Sequence, residues 1–305
     1  MGYYIIGELL RDARERQKYS QEEVCYGICT PSTLSRIENG QQAPGKKILE
    51  GLMQRLGLKD WIFDVGINPK EAEKYELEQE LIRCFGRKEY ERTQKLADDL
   101  EKMMNEGVSK ESNLLMEKQY LSFVRIMMRK DQGEKLEYVL EKLLETICMT
   151  IPDFDGMHIQ TRLLTYQEIS ILNSIGCVHH AMGNLWEALR ILFDLKEYIE
   201  KGNMNGQMIS EKYPMILQNL SAWMEQEGYY SDALELCQKG IDFCIEYGKM
   251  HTFPMLLCNK ACALAELGQI EMSKKIFLQS IVLFETVGQQ ESAEQVKEYA
   301  RNYMI

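Results

Sequence analysis

Ser32, Thr33 and Arg36 fall on one side of a short helix starting at Pro31, and Leu34 and Ile37 fall on the other. Small hydroxyl side chains let a helix sit deep in a nucleic-acid groove, and one arginine can grip a guanine edge through two parallel hydrogen bonds. That is the chemistry of reading base edges, not of breaking bonds. Nothing catalytic accompanies it. His158, His179, His180 and His251 lack HExxH spacing, and the chain has neither a phosphate-cradling glycine loop nor a GxSxG elbow. Nine cysteines are scattered; Cys25/Cys29 and Cys258/Cys262 stand four apart, but no CxxC pair or neighbouring histidine completes a zinc set. They read as reduced thiols in packed cores, and neither metal, cofactor nor enzymatic activity is expected.

The elements that must hold the reading helix are visible as caps. Ile6, Leu9, Leu10 and Ala13 make one apolar stripe, so the first helix packs on that face. Ser20 followed three residues later by Glu23 is a capping box, which starts a second helix at about Gln21. That helix ends at Gly27, and Gly27-Ile28-Cys29 makes a tight turn. Thr30 caps the third helix and Pro31 takes its first position, where the missing N–H costs nothing. Asn39-Gly40 stops it, and Pro44 precedes a fourth helix carrying Ile48, Leu49, Leu52 and Leu56. Two short helices across a tight turn, the second with a small polar face, predict a helix-turn-helix.

Charge says where such a head can act. The chain carries −11, yet residues 1–64 hold nine Lys/Arg and nine Asp/Glu and are neutral. All of the acidity belongs to the rest, which cannot lie along a phosphate backbone. Glu8 and Arg11 interrupt any export signal at the N-terminus, and no apolar run approaches the roughly 20 residues that span a bilayer. The expected location is cytoplasmic, with no membrane partner.

Beyond about Tyr75 the chain repeats itself. Met182-Gly183-Asn184-Leu185-Trp186-Glu187-Ala188-Leu189 aligns with Glu227-Gly228-Tyr229-Tyr230-Ser231-Asp232-Ala233-Leu234, and Leu267-Gly268-Gln269-Ile270-Glu271-Met272-Ser273 follows in phase. Weaker copies surround Lys88-Glu89-Tyr90 and Asp131-Gln132-Gly133. Each unit resembles the tetratricopeptide helix pair. The reading is therefore all-α: a head at 1–64, a linker at 65–74, and at 75–305 about five repeats in a right-handed superhelix closed by a helix at about Ser292–Tyr303.

Nine residues before each turn stand Gln79, Ser122, Ser174, Asn219 and Asn259, all polar. By the tetratricopeptide resemblance this position faces the concave groove, where an Asn can donate to and accept from one extended peptide backbone. Ordinary solvated positions would look the same. Lys118, Arg125 and Arg129, spaced by seven and four, share a helical face that this phasing also places in the groove. Three cations on one stripe of an acidic body suit a carboxylate, though a solvated basic face is the equal alternative.

The head's strings are more specific. Ser20-Gln21-Glu22-Glu23 and Thr30-Pro31-Ser32-Thr33-Leu34-Ser35-Arg36-Ile37-Glu38-Asn39-Gly40 resemble the Xre/Cro-type helix-turn-helix family over about 55 residues. The resemblance implies that Gln21 binds a DNA phosphate and that Pro31, Ser32 and Arg36 read bases, beside Thr30 and Thr33. It also implies a structural salt bridge between Arg14 and Glu38. Head and repeats together resemble the peptide-sensing regulators of the Rgg/PlcR/PrgX (RRNPP) group. That likeness implies a homodimer that reads a two-fold-related site on double-stranded DNA and binds a short signalling peptide. Peptide would alter superhelix curvature and so the spacing between the two heads, which must be roughly 34 Å or a multiple of it for both to enter major grooves. A regulator whose repeats only dimerise or bind a partner protein is the alternative, and a phosphatase-like repeat protein a more distant one.

Overall fold

The computed structural model describes residues 2–58, 69–106, 114–156, 159, 163–202 and 206–303. Every regular element among them is a helix, and none is long and apolar enough to cross a membrane. Backbone contacts divide the chain into two compact units: residues 1–183 with 203–205, and residues 184–202 with 206–305.

In the first unit, α1 (Gly2–Arg16), α2 (Gln21–Cys25), α3 (Pro31–Glu38) and α4 (Lys46–Arg55) form the head. They are followed by α5 (Pro69–Gly86), α6 (Tyr90–Asn105), α7 (Leu114–Asp131), α8 (Leu136–Cys148) and α9 (Tyr166–Ala181). The anticipated caps are all present. The Ser20 hydroxyl accepts from the Glu23 N–H while the Glu23 carboxylate accepts from the Ser20 N–H, and Thr30 accepts from the Thr33 N–H ahead of Pro31. Ile6, Leu10, Ala13, Val24, Leu34, Ile37, Ile48 and Leu52 make the head's core. The expected linker at 65–74 is shorter than drawn, because α5 is already helical at Pro69; its earlier part lies outside the described residues.

The second unit comprises α10 (Leu185–Lys201), the single turn α11 (Gly206–Ile209), α12 (Lys212–Gln226), α13 (Tyr230–Tyr247), α14 (Phe253–Glu266), α15 (Ile270–Thr286) and α16 (Gln290–Asn302). Its core gathers Ile241, Cys244, Leu256, Cys258, Phe277, Phe284 and Val296. All nine cysteines are free; burial pushes Cys177 up to about 11 and Cys237 up to about 12, so both remain thiols near neutral pH.

One turn recurs through both units. Gly183, Gly228, Gly268 and Gly288 adopt φ of 76 to 82°, and Lys88 a φ of 58°, each two residues before the next helix. At Gly228 the N–H donates to the Glu225 carbonyl at 3.0 Å and the following N–H to Met224 at 2.9 Å, which closes the preceding helix. Five residues after each left-handed position stands Thr93, Ala188, Ala233, Ser273 or Ala293, every one 0 % exposed. A small side chain is thus fully enclosed at each of these points. The Ser273 hydroxyl, buried with it, donates to the Ala261 carbonyl at 2.7 Å.

The second repeat corrects the expected phase. Its left-handed residue is Gly133 (φ 88°), bonded to Lys130 as its counterparts are bonded three residues back, rather than Asp131. The loop that follows is one residue longer, and α8 starts at Leu136. The residue matching Ser174, Asn219 and Asn259 is therefore Val124, fully buried, and Ser122 belongs to a different face of α7.

Candidate functional site

On α3, Leu34, Ile37 and Glu38 are buried while Pro31, Ser32 and Arg36 are exposed and Thr33 half-buried. Arg36 makes no side-chain hydrogen bond or ion pair among the described residues, so its five donors face outward. The Thr30 hydroxyl lies 2.9 Å from those of Ser32 and Thr33, a small polar cluster at the helix start. After Glu38 the chain turns at Gly40 (φ 68°), and the Gln41 N–H donates to the Arg36 carbonyl at 2.8 Å. The exposed face is thus held by caps at both ends and by apolar packing beneath.

Glu38 is the fixed point of this scaffold. Its side chain is 1 % exposed and accepts from Arg14 through both oxygens, Nε–Oε1 2.7 Å and Nη2–Oε2 2.9 Å. The hydrogen bond from Arg14 to Glu38 raises the guanidinium pKa above its ordinary value. Gln21 Nε2 donates to Glu38 Oε2 at 2.7 Å. The side chain expected to meet a phosphate is thus held against the scaffold by its amide nitrogen. Arg11 donates to the Glu38 carbonyl at 3.0 Å and to the Asn39 side chain, tying α1 to the end of α3.

The head does not stand apart from the first repeats. Met116 of α7 belongs to its apolar core, with Leu163 packed against it. Gly27 (φ 67°) leaves no room for a Cβ, which would run into the Thr150 carbonyl oxygen. Tyr26 Oη donates to Asp153 Oδ1 at 2.7 Å, and the Tyr166 N–H donates to Gln54 Oε1 at 3.0 Å. Lys47 reaches Glu78 Oε2 at 3.2 Å. Deepest is Arg55, which donates to the Val24 carbonyl at 3.0 Å and to that of Tyr26, with its Nη2 3.6 Å from Glu168 Oε1. Both side chains are 1 % exposed. None of this covers Pro31, Ser32 or Arg36.

From Glu168 a buried polar path continues into the repeats. Thr150 Oγ1 donates to Glu168 Oε1 at 2.7 Å, and Gln119 Nε2 donates to Thr150 Oγ1 at 2.6 Å and to the Thr146 carbonyl at 3.0 Å. Thr146 Oγ1 lies 2.8 Å from Ser122 Oγ. Ser122 in turn lines a cleft of about 970 Å³ floored by α7 and walled by α6 and α8. The whole basic stripe opens into it: Lys118, Arg125 and Arg129, joined by Lys142, Tyr90 and Tyr138. The walls are second helices of the first two repeats, so the stripe turns toward them and not toward a face lined by first helices. The two-residue phase difference, Gly133 in place of Asp131, is the cause.

The cations in the cleft are not equivalent. Arg125 is neutralised by Asp98 at 2.7 Å and Glu101 at 2.8 Å, and its hydrogen bond to Glu101 raises its pKa. Lys142 pairs with Glu145 at 2.6 Å. Arg129 donates only to the neutral Tyr138 Oη at 2.9 Å, and Lys118 is exposed with no ion pair among the described residues. Two positive charges therefore remain available, one near each end of α7.

The remaining polar positions are partly committed. Ser174 is buried and donates back to the Ser170 carbonyl at 2.9 Å. Within the second unit, Asn259 Nδ2 donates to the Gln218 carbonyl and to Ser221 Oγ, each at 2.9 Å, linking α14 to α12. Asn219, on α12, is half-buried. Gln79, on α5, is exposed. Sequence reasoning missed the Arg55–Glu168 contact; a capping box at Thr165/Glu168 was legible, but not its partner 113 residues away.

Residues 5–60 match the helix-turn-helix domain family. No curated protein sequence matches the chain. Among solved structures, Bacillus thuringiensis PlcR in complex with the peptide PapR7 and DNA is similar at 17% identity and a TM-score of 0.61, over 95% of this chain and 98% of its own. Its apo form gives 0.58 over 97% and 98%, again at 17% identity. S. thermophilus ComR, in complex with DNA and its signalling peptide ComS, gives 0.53 at 17% identity over 98% and 100%. The chain thus carries a helix-turn-helix domain at its head and, over nearly its whole length, shares the fold of PlcR and ComR.

Proposed function

We propose that this chain is a cytoplasmic transcription regulator that reads a two-fold-related operator as a homodimer and is controlled by a short peptide held by its repeats. The observation that carries the reading is α3, which buries Leu34, Ile37 and Glu38 and leaves Pro31, Ser32 and Arg36 facing outward. A helix offering small residues and one unpaired guanidinium fits a major groove, with Arg36 taking guanine O6 and N7 and Ser32 a neighbouring base edge. Pro31 gives only apolar contact, Thr30 and Thr33 hold the helix start, and Gln21 meets a phosphate once released from Glu38.

Peptide control draws support from the fold shared with PlcR and ComR, both solved with peptide and DNA. In this chain the cleft on α7 supplies Lys118, Ser122, Arg125 and Arg129 for a ligand. The path from Ser122 through Thr146, Gln119, Thr150 and Glu168 to Arg55 gives ligand and head a shared set of contacts. Peptide shifts the head only as far as it prefers one arrangement of that set.

Selection of binding sites from a random duplex pool by the full-length chain tests the DNA reading, and repetition with peptides encoded beside its gene tests the control. Enrichment of a two-fold sequence whose affinity changes at least tenfold with one peptide is expected. A pool that never enriches sinks the DNA reading. Enrichment indifferent to every peptide favours repeats that only dimerise or bind a partner protein.

A further inference from the structure

We infer that the cleft on α7 is a two-point carboxylate site, anchored by Arg129 with Tyr138 at one end and by Lys118 at the other. Its ligand is an extended acidic peptide carrying carboxylates about four residues apart. The inference rests on the peptide-binding reading of this cleft and deepens it by naming what the cleft selects.

Three observations carry it. Of the four cations lining the cleft, Arg125 and Lys142 are neutralised within it or at its rim, by Asp98 and Glu101 and by Glu145. Arg129 and Lys118 keep their charge, Arg129 being oriented by a 2.9 Å bond to Tyr138 Oη and by the face of the same ring, 5.8 Å from its centroid. A guanidinium steadied on a phenol is preorganised for a carboxylate, which therefore binds with less ordering of the side chain.

The second observation is register. Positions 118 and 129 are eleven residues apart, three turns of an α-helix to within about 20°, so both side chains rise from one line on α7. Their Cα atoms are about 16 Å apart at ~1.5 Å per residue. In an extended peptide, side chains on one face recur every second residue, and those at i and i+4 stand about 14 Å apart. The flexible lysine stem takes up the difference; a pair at i and i+2, about 7 Å apart, cannot reach both anchors.

The third is what lies between the anchors. Leu121, Ile126 and Met128 line the cleft beside Ser122, so its floor offers apolar contact between two charged ends. The acids already present, Glu91, Asp98 and Glu101, lie on α6, and they repel an acidic ligand wherever no cation intervenes. Selection is then by carboxylate position and not by charge alone.

The test uses the full-length chain and three blocked pentapeptides in isothermal titration: Ac-Asp-Leu-Ser-Leu-Asp-NH2, Ac-Asp-Leu-Asp-Leu-Ser-NH2 and Ac-Asn-Leu-Ser-Leu-Asn-NH2. The first is expected to bind at least tenfold more tightly than the second and about a hundredfold more tightly than the third. Arg129→Leu and Lys118→Leu should each cost tenfold or more for the first peptide and leave the third unchanged. Tyr138→Phe, which keeps the ring and removes the phenol oxygen, should cost about threefold for the first peptide alone. Unchanged circular-dichroism melts confirm that each variant folds.

Equal binding of the first two peptides, or indifference of the first to both Leu substitutions, overturns the two-point site. Tighter binding of the neutral peptide overturns acid selection while leaving peptide control standing. Binding of none overturns the site, and the operator selection then reports independently whether the DNA reading survives.

Discussion

Arg36 and Glu38 stand two positions apart on the same helix and do opposite work. Burial at 1 % and three donors from Arg14 and Gln21 make Glu38 a scaffold carboxylate with no oxygen left for a ligand. Arg36 is exposed and unpaired among the described residues, as the proposed base contact requires. Arg36→Ala is therefore expected to lower preference for the selected operator over scrambled duplex by about 10- to 100-fold, as the loss of one bidentate contact does. Affinity for scrambled DNA should hold within a few-fold. Competition gel shifts measure both; preference kept intact in the variant would show that another side chain reads the site.

Turns separate the elements, and their glycines differ in what surrounds them. Gly228 needs only its left-handed φ of 82°, a Cβ there meeting nothing nearer than the Tyr230 hydroxyl at 4.0 Å. Gly27 needs its φ of 67° and also the missing Cβ, since the Thr150 carbonyl occupies the space a side chain would take. Gly228→Ala should cost about 1 kcal/mol, the strain of one left-handed residue. Gly27→Ala should cost at least about 2 kcal/mol, because backbone must also move. Urea denaturation followed by far-ultraviolet circular dichroism separates the two; equal midpoints would mean that the head–repeat contact at Gly27 yields readily. Lys88 fills the same left-handed role in the first repeat without being glycine, which is why that repeat was faint in the sequence.

At the scale of the first unit, head and repeats are joined by a seam whose centre is charged. A buried ion pair contributes little net stability when whole, but removing one partner strands the other in a low-dielectric site. Arg55→Met should destabilise the first unit by about 3–5 kcal/mol, leaving Glu168 buried without its cation. Glu168→Gln keeps the capping box with Thr165 and should cost less. The double variant should recover part of the Arg55→Met loss, and a thermodynamic cycle over urea midpoints gives the coupling. Additive effects would mean that Arg55 acts only through the Val24 and Tyr26 carbonyls. The same variants assayed for peptide-dependent DNA binding report whether the path from Ser122 to Arg55 carries the signal.

Whereas the Arg14–Glu38 pair came from the family likeness alone, local chemistry by itself determined the four helices of the head, the exposed face of α3 and the repeating helix pairs. Each depends on residues within a few positions or on a periodic pattern: Ser20 with Glu23, Thr30 before Pro31, a small residue five after each turn glycine. Only the tertiary structure decided what depends on distant partners. It set the second repeat on Gly133, exchanging Val124 for Ser122 at the matched position and turning the Lys118–Arg125–Arg129 stripe toward α6 and α8. It also committed the Asn259 amide to Gln218 and Ser221, gave Gln21 to Glu38, and sank Arg55 against Glu168. A one-dimensional pattern records which residues a helix can present. Which charges are neutralised, and which remain available to a ligand, depends on side chains brought together from tens to more than a hundred residues away.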